Sequence, residues 1–335
     1  MPRVFGFIKD QRTNLPVPKP PTNIADATYI VTGANSGFGL ECTKHLFRMD
    51  AKRVIMAARS RCKGEAALTA IRRETSRPNV GEVWELDLTS PDSVEAFAKR
   101  VRTLDRLDAL IANAGVVMAN FQMAEGIEMS LLVNVVSTML LAFRTLPKLQ
   151  ESARKFGVQT HNTIVTSNSA LESEMEHNID SLQGDVFDGL SKEKSFKTMV
   201  QYPNTKLLEI LAVRQLASLL PVSEFGVIVN AVNPGFCYSE LDRNVGTMAK
   251  VGITVMRVLL ARTAEEGSRN LLQAAFAGPE SHGAYCSECQ VKERDVPAWI
   301  TNDVGKTTQK RVWLDLLKRL DTIGHSIDIK ALTTK

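Results

Sequence analysis

The stretch Thr28-Tyr29-Ile30-Val31-Thr32-Gly33-Ala34-Asn35-Ser36-Gly37-Phe38-Gly39 decides the fold class of this chain. A short apolar run comes first, glycines follow at 33, 37 and 39, and a helical-looking segment comes next. If the run is a strand and Gly37 opens a helix, the turn lets a ligand approach the backbone. The first N–H groups of the helix are then free to bind a phosphate. Glycines between a strand and a helix also serve tight turns and close packing, so the stretch alone leaves both readings open.

Working outward, the pattern repeats. Apolar runs at Tyr29–Thr32, Arg53–Ala57, Val83–Leu86, Ala109–Ala112, Thr163–Thr166 and Val227–Val232 alternate with helical candidates at Lys63–Thr75, Ser93–Leu104, Gly126–Leu146 and Asn204–Leu219. Continuous apolar strands separated by helices are the signature of a parallel sheet covered on both faces. The expected fold is therefore a doubly wound α/β sheet, whose ligands sit at the carboxyl ends of the strands where strand order reverses. Gly283–Val291 reads as a last strand and Lys306–Leu320 as an amphipathic helix. Residues 1–26, with Pro16, Pro18, Pro20 and Pro21, read as an extended arm without regular helix, and residues 27–335 as one domain. Ala170–Gln201 and Phe236–Thr263 exceed ordinary loop length. Each reads either as a lid or substrate wall near the strand ends or as surface decoration.

Composition narrows the function. The 41 basic and 37 acidic residues are mixed along the chain, which gives no electrostatic case for nucleic acid or a membrane surface. No run of about twenty apolar residues suggests a transmembrane span. Met1-Pro2-Arg3-Val4-Phe5 lacks the pattern of a secretory signal, so a cytoplasmic protein is expected. The five cysteines fit a reducing compartment better than a disulfide framework. Cys286, Cys289 and His282 lack a fourth ligand and fall on a strand-like segment, so no metal is expected.

Several residues carry chemistry. About twenty residues past the last glycine, where a dinucleotide fold usually places a carboxylate on the ribose, stand Arg59 and Ser60. A guanidinium there grips a 2′-phosphate, so the expected cofactor is NADP(H). Asp87-Leu88 suits the adenine edge, although Asp87 could equally cap the helix beginning near Pro91. Asn113-Ala114-Gly115 lets the backbone pass close to a nucleotide, and the amide can pin neighbouring strands. In Tyr202-Pro203-Asn204-Thr205-Lys206 the spacing of four places phenol and ammonium on one helix face. A free phenol titrates at about 10, and a nearby ammonium favours its anion. Ile164-Val165-Thr166-Ser167-Asn168-Ser169 ends a strand in hydroxyls. Asn134, within an apolar helix, is either a structural bond to the main chain or a holder of water in a proton relay.

Taken in order, Thr32-Gly33-x-x-x-Gly37-x-Gly39, Asn113-Ala114-Gly115, Asn134, Ser169, Tyr202-x-x-x-Lys206 and Asn233-Pro234-Gly235 resemble the short-chain dehydrogenase/reductase superfamily over residues 27–240. Within it the chain looks like fungal secondary-metabolism reductases related to the retinol-dehydrogenase-like branch. The resemblance implies a catalytic tetrad of Asn134, Ser169, Tyr202 and Lys206, with Ser167 as the fallback serine because the usual Ser-Ser pair is here Ser-Asn-Ser. It places Gly33, Asn35, Gly37, Phe38 and Gly39 at the pyrophosphate, Arg59 and Ser60 at the 2′-phosphate, and Asp87 and Leu88 at the adenine. Asn113 falls at the ribose neighbouring the adenine, Lys206 at the nicotinamide ribose, and Pro234, Gly235 and Ser239 at the nicotinamide itself. It implies NADPH-dependent reduction of a ketone with Tyr202 as proton donor, or the reverse oxidation of a retinoid- or steroid-like alcohol. A cofactor-binding protein without turnover is the alternative from another class. Val116, Val117, Met118 and the segment 251–260 suggest a lipophilic substrate, and the long helices leave a homodimer open.

Overall fold

Strand β1 (Thr28–Thr32) is buried at every residue because helices cover both faces of the sheet around it. A computed structural model of the chain describes residues 6, 8, 10–175, 179, 182, 184–237 and 261–334. In these, β1 is joined by β2 (Arg53–Ala58), β3 (Glu82–Glu85), β4 (Ala109–Ala112), β7 (Thr160–Val165), β8 (Val227–Val232), β9 (Tyr285–Ser287) and β10 (Gln290–Val291). β5 (Met123–Ala124) and β6 (Ile127–Glu128) form a separate hairpin. The eight-stranded sheet runs β10-β9-β8-β7-β4-β1-β2-β3, and all its pairings are parallel except β9 with β10.

Side chains alternate between two cores, as a period of two requires. Ile30, Ile55 and Leu110 face one; Tyr29, Val54 and Ala109 face the other. The first core is closed by α3 (Pro91–Val101), α4 (Thr138–Phe156), α5 (Thr198–Ser218) and α7 (Asp303–Thr322). The second is closed by α1 (Gly37–Arg48), α2 (Arg61–Thr75) and α6 (Ala264–Phe276). This is the doubly wound α/β fold that the alternation of runs and helices predicts. Strand order reverses between β1 and β4, so the crevice for a ligand opens at their carboxyl ends.

The boundaries differ from expectation where tertiary contacts outweigh local signals. β7 begins at Thr160, ahead of its apolar residues, and takes buried polar side chains into the sheet: Asn162 Nδ2 donates to Ala142 O (3.2 Å) and His161 Nε2 lies 2.8 Å from Ala277 O. The stretch expected as one helix from Gly126 begins instead with β6. A π-helical segment, Leu131–Ser137, follows, and α4 then continues through Pro147 to Phe156. α5 likewise starts at Thr198, ahead of Pro203. Each proline removes one helical hydrogen bond, a loss that burial of the surrounding apolar face outweighs. Gly283–Val291 is a hairpin, not one strand. Its turn residues Glu288 and Cys289 both take positive φ (47° and 57°), the conformation of the tight primed turns, without the glycine that usually announces them.

The helix Leu131–Phe156 is long and apolar enough to cross a membrane, yet 89% of its most apolar window is buried in the core. α7 covers it from outside, with Trp313 packed edge-on against Phe143 (5.4 Å between ring centroids). The loop expected at Ala170–Gln201 is tied down in its middle. Phe187 is buried, and Arg319 of α7 pairs with Asp185 (3.1 Å) and with Asp188. Most of the other long segment, residues 238–260, lies outside the described residues. The N-terminal arm holds a helical turn, with Arg12 N–H donating to Ile8 O (3.1 Å), before it runs extended through the prolines. The prolines from Pro16 to Pro21 do not reach that turn.

Candidate active site

Each glycine of the turn after β1 has a different task. Gly33 adopts φ +65° and donates its N–H to Ala57 O (2.8 Å). Gly37 (φ +55°) opens α1 with nothing within 4 Å of where a Cβ would stand. Gly39 lies beneath the turn, where a Cβ would fall 2.5 Å from Gly33 O and 2.7 Å from Asn113 Nδ2. The N-cap residue Ser36 makes no side-chain cap bond, so the first N–H groups of α1 are left for a ligand. Gly39→Ala is expected to destabilise the protein by about 1–3 kcal/mol, since the clash is with backbone that cannot yield. Thermal unfolding without ligand measures this, and an unchanged Tm would place the glycine's importance elsewhere.

Asn113 pins β4 to β1 through Nδ2 to Thr32 O (2.8 Å), and the Ala114 N–H donates to Thr32 Oγ1 (2.8 Å). At the end of β2, Arg59 is exposed and has no ion-pair partner among the described residues, while Ser60 caps α2 through Lys63 N–H (3.4 Å). Lys63, one turn into α2, lines the same cleft and was not singled out from the sequence. Asp87 does not cap the following helix. Ser90 does, and Asp87 Oδ1 instead accepts from the N–H and Oγ1 of Thr89 (2.9 and 2.8 Å).

At the other side, two strands away across β1 and β4, α5 brings up Tyr202 and Lys206. Lys206 Nζ is 5.8 Å from the centroid of the phenol ring, donates to Val165 O (3.0 Å), and pairs with Glu209 Oε1 (2.7 Å). Burial raises the Tyr202 phenol; Lys206 pulls it down, Glu209 pushes it up and the Ser167 hydroxyl favours its anion. The net direction is upward. Lys206 therefore acts on Tyr202 in the expected sense, but burial and Glu209 outweigh it in this state. Burial also opposes the Lys206 ammonium, yet the negative partner Glu209 leaves it above its ordinary value. Glu209, missed by the sequence reading, is a charged residue within Leu207-Leu208-Glu209-Ile210-Leu211. Polarity in an apolar helix is the same signal that marks Asn134.

Asn134 spends both amide hydrogens, on Val116 O (3.0 Å) and Thr205 Oγ1 (3.1 Å), and its Oδ1 accepts from Val116 N–H (2.8 Å). Of the two options, the structural bond to the main chain is the one formed. Oδ1 keeps a second lone pair on the side of Gly115, whose absent Cβ would stand 3.2 Å from it and 3.7 Å from Lys206 Nζ. The two serines are bonded to each other: Ser169 Oγ donates to Ser167 Oγ (3.0 Å), and the Ser167 hydroxyl favours the Tyr202 anion.

A cleft of about 280 Å³ joins these parts. Gly33, Asn35, Gly37 and Phe38 line its floor, Arg59, Ser60, Asp87 and Leu88 one end, and Asn113, Tyr202, Lys206 and Pro234 the other. Gly39, Asn134, Ser167, Ser169 and Gly235 do not line it, and Ser239 lies outside the described residues. Gly235 (φ +87°) is demanded by packing, because a Cβ there would stand 2.6 Å from Arg262 Nη1. The arm holds this loop as well, since Gln11 accepts from Phe236 N–H (3.0 Å) and donates to Phe236 O (2.7 Å). Of the three residues considered for a metal, His282 has both ring nitrogens engaged, by Val229 N–H and Ala217 O.

A glycine turn at a topological switch point, with a tyrosine and lysine across the crevice, defines a doubly wound nucleotide-site protein of the oxidoreductase kind. The sequence profile of the short chain dehydrogenase family matches residues 27–177. A short chain dehydrogenase/reductase of Cryptosporiopsis sp., dmxR8, is 41% identical over 96% of this chain and 99% of its own length. Another, phmF of Phaeosphaeria nodorum, is 36% identical over 95% and 92%. Among solved structures, salutaridine reductase from Papaver somniferum superposes with TM-score 0.58 at 22% identity, covering 77% of this chain and 99% of that one. A short-chain dehydrogenase from Sphingobium yanoikuyae in complex with NADPH gives 0.55 at 23%, covering 73% and 82%. The chain belongs to the short-chain dehydrogenase/reductase family of oxidoreductases.

Proposed function

We propose that this chain uses NADPH to reduce a ketone on a lipophilic small molecule, an intermediate of fungal secondary metabolism, with Tyr202 as the proton donor. The observation that carries the reading is that one cleft holds an exposed arginine at its nucleotide end and Tyr202 with Lys206 at its other end. The fungal origin of the 41% and 36% identical relatives supports the metabolic setting.

The residues present fit the cofactor. The uncapped N–H groups of α1, beside Asn35, Gly37 and Phe38, would hold the pyrophosphate. Arg59 with Ser60 and Lys63 would hold the 2′-phosphate, and Asp87 and Leu88 would flank the adenine. Asn113 would hold the ribose neighbouring the adenine and Lys206 the nicotinamide ribose, with Pro234, Gly235 and Ser239 around the ring. When bound, NADPH supplies the hydride. Tyr202 gives its phenolic proton to the oxygen of the carbonyl as negative charge builds there, and the Ser167 hydroxyl donates a hydrogen bond to that oxygen. Ser169 orients Ser167. Asn134 holds the Gly115–Val116 backbone and leaves one lone pair for a water that returns a proton. Val116 and Val133 give the substrate side an apolar wall.

The test is consumption of NADPH with a panel of aryl and polycyclic ketones, together with calorimetric binding of the nucleotide alone. Turnover of none of them, nor of the corresponding alcohols with NADP⁺, would leave a binding protein without catalysis. The two serines are expected to separate. Ser167→Ala should lower kcat/KM by about 10²–10³-fold as an oxyanion donor is lost, and Ser169→Ala by less than about tenfold. The opposite order would return the role to Ser169.

A further inference from the structure

Glu209 is 1% exposed, sits one turn past Lys206 on α5, and has no place in the roles above. Its Oε1 takes the Lys206 ammonium at 2.7 Å, while Oε2 accepts no hydrogen bond among the described residues. Thr166 of β7, the neighbouring hydroxyl, donates instead to Lys206 O (2.8 Å). A buried carboxylate with one unpartnered oxygen is costly as an anion and well placed to take up a proton. Lys206 lies between Glu209 and the phenol, so its charge is shared.

We propose that Glu209 is a positioning residue: its charge holds the Lys206 ammonium, and so sets the pH at which Tyr202 changes from proton donor to proton acceptor. The inference rests on the role proposed for Tyr202. With Glu209 ionised, the pair carries no net charge and the phenol keeps its proton, the state suited to reducing a ketone. Without the Glu209 charge, the ammonium would act on the phenol uncompensated and the phenolate would be favoured. The groups facing Glu209 are Lys206 and, through it, Tyr202 on its own helix, and the uncharged Thr166 from β7; across Lys206, Gly115 and the uncharged Asn134 close the site. Burial pushes the carboxyl up to about 7 against the pull of Lys206, so Glu209 is ionised in the alkaline range where the phenol titrates.

Glu209→Gln keeps the shape and removes the charge. The pH midpoint for alcohol oxidation with NADP⁺, which reports phenolate formation, should then fall by about one unit, a tenfold gain in phenolate at a given pH. Glu209→Asp, with the carboxylate drawn back from Nζ, should show a smaller fall in the same direction. The same shifts should appear without cofactor or substrate in the near-ultraviolet absorbance of tyrosinate, taken as the difference from Tyr202→Phe in each background. A role in packing alone would lower Tm and leave both midpoints unmoved, and that result in folded Gln or Asp variants overturns the proposal. If the Gln variant does not fold, the Asp variant decides by the same measurement. The absorbance reads the coupling whether or not any ketone is turned over, so failure of the catalytic reading and failure of this one are told apart.

Discussion

Tyr202→Phe is expected to lower kcat by about 10³-fold or more while NADPH binds within about twofold of the unmodified protein. The substitution removes one oxygen and keeps the ring, so the walls of the cleft and the Lys206–Glu209 pair at 2.7 Å stay in place. What disappears is the proton for the developing alkoxide, and general acids contribute about 10²–10⁴-fold. Because that proton transfer belongs to the transition state, kcat and kcat/KM should fall together. The measurement is steady-state reduction of a ketone with parallel calorimetry of NADPH. Turnover close to normal would remove Tyr202 from the chemistry.

Arg59→Asp should weaken NADPH binding by about 10²-fold and leave NADH nearly as good or better. Arg59 is exposed and unpaired among the described residues, so its removal breaks no protein ion pair and costs little stability. A guanidinium on a 2′-phosphate contributes charge-assisted hydrogen bonds of about 1.5–3 kcal/mol, and a carboxylate in its place adds repulsion. Lys63 on the same wall should retain part of the preference, so the Arg59→Asp, Lys63→Ala double variant should favour NADH. Dissociation constants for both nucleotides across the variants give the answer, and equal use of NADPH and NADH by the unmodified protein would defeat the 2′-phosphate reading.

The strands were legible in the sequence because burial on both faces leaves no room for polar alternation, so Tyr29–Thr32 and Val227–Val232 stand out as unbroken runs. The glycine turn, Arg59 and the Tyr202–Lys206 spacing were legible for a similar reason, each being a local consequence of a backbone or helix geometry. What escaped were features whose cause lies across the fold. Ser167 and Ser169 are both hydroxyls at one strand end, and their bond to each other is a feature of the folded loop that the sequence did not announce. α3 begins at Pro91 as expected, and its cap is Ser90, the residue directly before it, rather than Asp87.

By itself, then, the sequence determined a doubly wound sheet with its ligand crevice beside β1, since periodicity and glycine position act over a few residues. The tertiary structure decided the electrostatic state of the site. Lys206 was expected to act on Tyr202 and on the nicotinamide ribose, but it also shares its charge with Glu209, and Asn134 spends its amide on Val116 and Thr205. Such balances depend on which charges are brought together and how deeply they are buried, and spacing along the chain does not carry that information.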